Sequence, residues 1–188
     1  AIECYEKATK INPDYADAYN NMGICFSHKG NLDEAIDCYK HVLKIKPDYA
    51  EVHYNMGNML KEKEELDQAI ECYEKATKIN PDYADAHNNM GICFSQKGDL
   101  EAAIERYQFV IKKNPSYIEA HINLGTALNR QGKTKEAIKS CKKVLKLDPG
   151  NLGTRHILNA LTGQQTEAVP NVYVEGLFDD YAVRFDQS

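Results

Sequence analysis

The sequence predicts an all-α fold of stacked helical hairpins, an α-solenoid, because several residue types recur every 34 residues. Between these positions, apolar residues are three or four positions apart, which is typical of the buried face of a helix. A single hairpin buries too little apolar surface to be stable alone, so neighbouring hairpins are expected to share a core. The recurring residues are Pro13, Pro47, Pro81, Pro115 and Pro149; Gly23, Gly57, Gly91 and Gly125; and Ala1, Ala35, Ala69, Ala103 and Ala137.

Turn-forming residues divide each period into two helices. Gly30 and Gly98 stand where the first helix would end in a left-handed residue, and Asn31 and Asp99 are predicted to cap the helix that follows. Glu64 replaces this glycine in the second unit. Proline then ends the second helix, because it lacks an N–H group and disfavours a helical residue before it. Each unit is therefore predicted to be a helix, a tight turn, a second helix and a proline-containing turn.

One segment of the chain occurs twice. Residues 11–27 and 79–95 differ only at Tyr19 and His87, and the offset is 68 residues, or two periods. Catalytic sites are rarely tandem, whereas a scaffold of stacked units grows by copying them. The duplication therefore favours a scaffold over an enzyme, and no catalytic residue is predicted.

This pattern resembles the tetratricopeptide repeat (TPR). Counted from the first residue of each unit, the match includes the aromatic of position 4 and the alanine of position 20. The family's Leu-Gly pair at positions 7 and 8 is Met-Gly in the first three units and Leu124-Gly125 in the fourth, and Cys141 departs from the aromatic of position 24. The resemblance implies an array over residues 1–162, in a right-handed superhelical arc whose concave face is lined by the first helices. Its parts are a partial unit 1–15, complete units 16–49, 50–83, 84–117 and 118–151, and an extra helix 152–162. Position 4 is filled by Tyr19, His53, His87 and His121.

The composition excludes several function classes. A net charge of −5 opposes nucleic-acid binding, which needs a basic surface to displace counterions. No apolar run is long enough for a membrane span, so a cytoplasmic location without membrane contact is expected. The six cysteines lack the CxxC or CxxH spacing of a zinc site, and five of them recur at equivalent positions of the period. They are therefore expected to be packing thiols in a reducing compartment, and no metal or cofactor is predicted.

The resemblance also implies a binding surface at positions 2, 5, 6, 9, 12 and 13 of the first helices. Position 6 is asparagine in all four complete units, and a row of side-chain amides can pair with the backbone of an extended peptide. The row is similar to the asparagine ladder of O-linked N-acetylglucosamine transferase. The alternative is that these asparagines stabilise the repeats themselves, and the two roles are compatible. The candidate residues are Asn21, Asn55, Asn89, Asn123, Asn20, Tyr54, Asn88, Asn58, Lys61, Gln96 and Arg130.

The charge of this surface predicts the chemistry of the partner. Five acidic and two basic residues occupy it, so a neutral or basic protein or peptide is expected. The alternative is that the acidic residues of position 2 only favour the helix dipole. Chaperone-binding TPR proteins hold a C-terminal carboxylate with Lys, Asn, Asn, Lys and Arg. Only Asn55 agrees here, and Asp85 would repel the carboxylate, so a chaperone-tail receptor is disfavoured.

The two ends of the array lead to further expectations. The helix that begins at Ala1 has an apolar face but no preceding partner helix, which predicts truncation of a longer array or self-association through this helix. Residues 163–188 are predicted to be a linker and an amphipathic tail helix that caps the last repeat. Alternatively, "GLFDDYAVRFD" at 176–186 resembles the start of bacterial class I methyltransferase domains that follow TPR arrays. The chain would then be the substrate-recruiting part of a modifying enzyme, an S-adenosylmethionine-dependent methyltransferase in preference to an O-GlcNAc-type glycosyltransferase.

Overall fold

The computed structural model of the protein describes residues 2–164. This part of the chain contains ten α-helices and no strand, and none of these helices is long and apolar enough to cross a membrane. The predicted tail helix and the methyltransferase-like segment at 176–186 lie outside the described residues. The helices are α1 (Ile2–Ile11), α2 (Ala16–Ser27), α3 (Leu32–Ile45), α4 (Ala50–Glu62), α5 (Leu66–Ile79), α6 (Ala84–Lys97), α7 (Leu100–Lys113), α8 (Ile118–Arg130), α9 (Thr134–Leu147) and α10 (Leu152–Thr162).

The helices form hairpins that stack in chain order. We call α2, α4, α6 and α8 the first helices, and α3, α5, α7 and α9 the second helices. Each first helix packs on the second helix that follows it, and each second helix packs on the next hairpin. The first helix α6 also contacts α4 and α8, so first helices lie side by side. The predicted all-α repeat fold is confirmed, and its handedness stays an expectation from the resemblance.

A left-handed residue separates the two helices of each hairpin, as the sequence predicts. Gly30, Gly98 and Gly132 have φ angles of 73°, 88° and 78°. Glu64 occupies the equivalent place in the second hairpin with a φ of 61°. This conformation brings a Cβ too close to the backbone and costs a residue other than glycine about 1 kcal/mol or more. The second hairpin therefore contains a strained turn that the other three lack.

Only one of the two predicted helix caps is formed by a side chain. Asp99 accepts a hydrogen bond from the backbone N–H of Ala102 at 3.0 Å, which caps α7 as predicted. Asn31 is the N-cap residue of α3 as predicted, with a backbone conformation similar to that of Asp99, but its side chain forms no such bond. The amide of Asn151 does form this bond, accepting from the backbone N–H of Thr154 at 3.0 Å before α10.

The closest packing inside a hairpin joins a glycine of the first helix to a tyrosine of the second. An added Cβ on these glycines would lie only 2.6 or 2.7 Å from the tyrosine ring, so a larger residue does not fit. In the fourth unit Cys141 replaces the tyrosine, and a Cβ on Gly125 would meet Ser140 at 3.3 Å. The close pairs are Gly23–Tyr39, Gly57–Tyr73 and Gly91–Tyr107.

The cysteines differ in burial. Cys38, Cys72, Cys93 and Cys141 are buried, which agrees with the predicted packing role. Burial raises the pKa of Cys38, Cys72 and Cys93 to about 11, so these thiols stay protonated and unreactive near neutral pH. Cys4 is exposed on α1, so the packing role does not extend to it.

Candidate functional site

The candidate residues lie on the first helices, on a surface that we call the first-helix wall (positions 2, 5, 6, 9, 12 and 13 of α2, α4, α6 and α8). Two amide–amide hydrogen bonds connect neighbouring helices of this wall. Asn89 Nδ2 on α6 donates to Asn58 Oδ1 on α4 at 2.9 Å. Asn123 Nδ2 on α8 donates to Asn88 Oδ1 on α6 at 3.1 Å. The structure therefore brings four predicted residues together in pairs.

The asparagines of the wall differ in how much of their hydrogen-bonding capacity is used. Asn89 on α6 bonds to Asn58 on α4, and Asn123 on α8 bonds to Asn88 on α6, which supports a structural role for these four amides. Asn21 is exposed and Asn55 is half-buried, and neither side chain has a hydrogen-bond partner among the described residues. Asn20 is buried, and its Oδ1 likewise lacks a partner within residues 2–164. At position 6, the amides of Asn21 and Asn55 are therefore free to bind a ligand, whereas those of Asn89 and Asn123 are hydrogen-bonded within the protein.

Asn58 connects the wall to the core of its own hairpin. Its Oδ1 accepts hydrogen bonds from Asn89 Nδ2 and from the hydroxyl of Tyr73, the latter at 2.8 Å. Tyr73 is fully buried, and this burial raises the pKa of its hydroxyl far above the ordinary value. The hydroxyl therefore remains a donor at any physiological pH, and the position of Asn58 is fixed from the core.

Tyr54 is the only aromatic residue at position 5 of the wall. Its ring lies 5.0 Å from that of Tyr83 and 6.0 Å from that of Tyr73, measured between centroids, in tilted arrangements. The amide of Asn89 reaches its hydroxyl at 3.4 Å. These contacts fix the ring while leaving Tyr54 and Tyr83 half-exposed.

The C-terminal ends of the first helices carry the remaining candidates. Arg130 donates to the backbone carbonyl and the hydroxyl of Ser95, at 3.0 and 2.8 Å. Gln96 is exposed and Lys61 is half-buried. Arg130 is thus held by the preceding first helix, whereas Gln96 faces solvent. The predicted set therefore lies on one series of helices, but its members are not brought together into a single cluster.

The histidines of position 4 form a polar contact that the sequence did not reveal. In His53, His87 and His121, ring Nε2 lies 2.9, 3.0 and 3.1 Å from the carbonyl oxygen of the proline six residues earlier. A carbonyl can only accept, so Nε2 carries the hydrogen and donates it. Each bond ties a first helix to the turn before it. The constant spacing of six residues from proline to histidine is the signal that could have revealed this contact.

The described residues offer no metal site. No group of three or more His, Cys, Asp or Glu side chains in residues 2–164 is arranged to hold an ion. The recurring histidines in particular are separated by whole repeats and bonded to backbone carbonyls. The site is therefore a polar and aromatic surface made of amides, tyrosines and carboxylates.

Family models match the chain along most of the array. A model described as "TPR repeat" matches residues 1–28, 57–98 and 93–132. A model described as "Tetratricopeptide repeat" matches residues 16–49 and 118–151. A second model with that description matches residues 38–71. The chain belongs to the tetratricopeptide repeat family. Proteins of this fold are typically non-catalytic interaction scaffolds. A search of curated protein sequences gives no match.

Solved structures of TPR proteins are similar to the chain. A crystal structure of MamA has a TM-score of 0.76 at 28% identity, over 79% of this chain and 86% of MamA. The first TPR of Spaghetti (RPAP3), bound to the HSP90 peptide SRMEEVD, has a TM-score of 0.59 at 25% identity, over 61% of this chain and 90% of that one. A structure of PilF from Pseudomonas aeruginosa has a TM-score of 0.70 at 24% identity, over 78% of this chain and 67% of PilF. At this identity the similarity shows the fold alone.

Proposed function

We propose that the chain is a protein-interaction module that holds an extended segment of a partner protein against the first-helix wall and performs no chemistry itself. The observation that carries the proposal is the row of asparagine amides on successive first helices, which is open at Asn21 and Asn55. An amide offers both a donor and an acceptor, so it can pair with a peptide backbone whatever its sequence.

The charge of the wall supports a partner different from that of the peptide-bound neighbour. The peptide held by the first TPR of Spaghetti, SRMEEVD, contains three acidic residues. Here position 2 of every complete unit is itself acidic, at Asp17, Glu51, Asp85 and Glu119. Like charges across an interface are unfavourable, so we propose a neutral or basic segment as the partner.

Peptide selection tests the proposal directly. The chain is immobilised, a random peptide library is selected against it, and the affinity of an enriched peptide is measured by fluorescence anisotropy. Asn55→Ala removes an open amide without removing a hydrogen bond inside the described chain. We expect this variant to bind the peptide about fivefold more weakly, because one hydrogen bond is lost.

A matched control separates binding from folding. Gln108 is an exposed amide on the second helix α7, away from the wall, so Gln108→Ala is expected to bind the peptide like the wild type. Circular dichroism should give the same helicity for both variants. Failure to enrich any peptide, or equal affinities of wild type and Asn55→Ala, would contradict the proposal.

A further inference from the structure

One place on the first-helix wall combines aromatic rings with an acidic side chain. Tyr54 on α4 and Tyr83, the residue that precedes α6, have ring centroids 5.0 Å apart. Glu51 lies three residues before Tyr54 on the same helix, so the two side chains share one face. Tyr54 and Tyr83 are half-exposed and Glu51 is exposed. The three residues form what we call the Tyr54 site.

The equivalent place one unit earlier is occupied by a lysine of the protein itself. Tyr49 and Asp17 correspond to Tyr83 and Glu51. Between them, Lys46 places its Nζ 3.1 Å from the carboxylate of Asp17 and 5.9 Å from the centroid of the Tyr49 ring. The repeat thus has an established way to place a cation against a tyrosine ring and a carboxylate.

At the Tyr54 site this internal cation is missing from the sequence. One period after Lys46 the residue is Asn80, whose side chain accepts from the backbone N–H of Asp82. Glu51 forms no ion pair with any residue of the described range. The site therefore retains a rigid aromatic surface and a carboxylate whose charge the protein does not neutralise.

In the next unit along the chain, the equivalent carboxylate has a different partner. Two periods after Lys46 the residue is Asn114, also without charge. There the hydroxyl of Tyr117 donates directly to the carboxylate of Asp85. The carboxylate of Asp85 is thus hydrogen-bonded within the protein. Of the three equivalent carboxylates, Glu51 alone has neither a lysine nor a tyrosine hydroxyl as partner among the described residues.

The local electrostatics agree with an unneutralised site. The pKa of Tyr83 is raised to about 12, first by burial and then by the nearby Tyr54, Glu51 and Asp85. Two carboxylates that disfavour a further negative charge will favour a positive one.

We propose that the Tyr54 site binds one basic side chain, lysine or arginine, of the partner segment, in the place that Lys46 takes in the preceding unit. The cation lies over the faces of Tyr54 and Tyr83, and Glu51 neutralises its charge. An arginine can also stack its planar guanidinium on the rings. This inference rests on the proposed function, because it assigns one position of the segment that the wall holds.

The selected peptides test the inference. We expect lysine or arginine to be enriched at one position, and replacement of that residue by glutamine to weaken binding about tenfold. Glu51→Gln should weaken binding of the basic peptide by a similar factor. It should leave unchanged the binding of the peptide in which glutamine replaces the basic residue. Tyr54→Asn, which introduces the residue that α2 and α6 carry at this position, should act in the same way, while Tyr54→Phe should retain binding.

One further variant uses the internal precedent, and a second serves as its control. Asn80→Lys supplies the lysine that the preceding unit has at the equivalent position, so it should occupy the site and weaken binding of the basic peptide alone. Asp67→Asn removes an acidic charge of the second helix α5, outside the wall, that Lys97 already neutralises, so it serves as a charge-matched control and should change nothing.

The outcomes separate this inference from the proposed function. Peptides that depend on Asn55 but show no preferred basic position, or that bind Glu51→Gln and Asn80→Lys like the wild type, would overturn the inference alone. If no peptide is enriched, or if Asn55→Ala binds normally, the proposed function fails and the inference fails with it.

Discussion

The helices α2 and α6 have nearly the same sequence but different surroundings. Cys93 on α6 is completely buried, whereas its counterpart Cys25 on α2 is only half-buried. Asn88 accepts a hydrogen bond from the next first helix, whereas the oxygen of Asn20 has no partner among residues 2–164. The same side chains therefore have different environments because different neighbours pack on them.

The glycine–tyrosine contact inside the hairpin, by contrast, is the same for both helices. Gly23 and Gly91 each leave room for one tyrosine ring, and an added Cβ would come within 2.7 and 2.6 Å of it. The glycine–tyrosine packing is thus kept in both hairpins, while the contacts between hairpins depend on the sequence of the adjoining unit. The four predictions that follow test this distinction, beginning with the largest expected effect.

Gly91→Ala and Gly23→Ala should destabilise the protein equally, each by about 3 kcal/mol, because the buried tyrosine ring cannot move aside. Gly125→Ala is the matched control, since its nearest neighbour would be Ser140 at 3.3 Å, and it should cost under about 1 kcal/mol. Urea unfolding followed by circular dichroism measures all three. A much smaller cost for Gly23→Ala than for Gly91→Ala would contradict the conclusion that the glycine–tyrosine packing is the same in both hairpins.

Cys93→Ser should destabilise the protein more than Cys25→Ser, because the hydroxyl at position 93 is placed in a fully buried site. We expect a loss of about 2 kcal/mol for Cys93→Ser and under about 1 kcal/mol for Cys25→Ser. The same unfolding experiment measures both. Equal losses would show that the neighbours of α6 do not make its environment different from that of α2.

Glu64→Gly should stabilise the protein by about 1 kcal/mol, because glycine adopts the left-handed conformation without strain. The turns after α2 and α6 already have glycine, so Gly98→Ala is the reverse control and should destabilise by a similar amount. Thermal unfolding is a suitable measurement. An unchanged midpoint for Glu64→Gly would mean that the turn is not strained.

His87→Tyr makes α6 carry the residue that α2 has at this position, and should reduce the pH dependence of stability. Burial lowers the pKa of His87 below its ordinary value of 6.5, so the folded protein favours the neutral ring. The unfolded chain then binds more protons, and stability falls as the pH drops below about 6.5. We expect the loss between pH 7.5 and pH 5.5 to be smaller in the variant. An identical loss in both proteins would exclude His87 as its source.

The sequence is sufficient to predict features that repeat with the period. Glycine at 30 and 98 and proline at 47 and 81 mark where helices end, because each residue restricts its own backbone. The all-α fold and the family were predicted from these positions. Domain boundaries within the array stay predictions.

Contacts between repeats could not be predicted in the same way. Asn123 and Asn88 are 35 residues apart in the chain, and the hydrogen bond between them depends on the spacing and rotation of α8 and α6. The ion pair of Lys46 with Asp17 and the pairing of Tyr54 with Tyr83 also cross from one unit to the next. A periodic pattern shows which residues are equivalent, but it does not show which of them meet. The asparagine row was therefore predicted, and its division into open and closed parts was not.

The link from buried Tyr73 through Asn58 to Asn89 fixes the distance between α4 and α6 from inside the protein. Packed helices are roughly 8–10 Å apart, and an extended polypeptide advances about 3.3 Å per residue. A ligand lying across the helices would thus pass one of them about every three residues. A ligand that lies across α4 and α6 would then be held in a fixed register by these two helices, with its contacts about three residues apart.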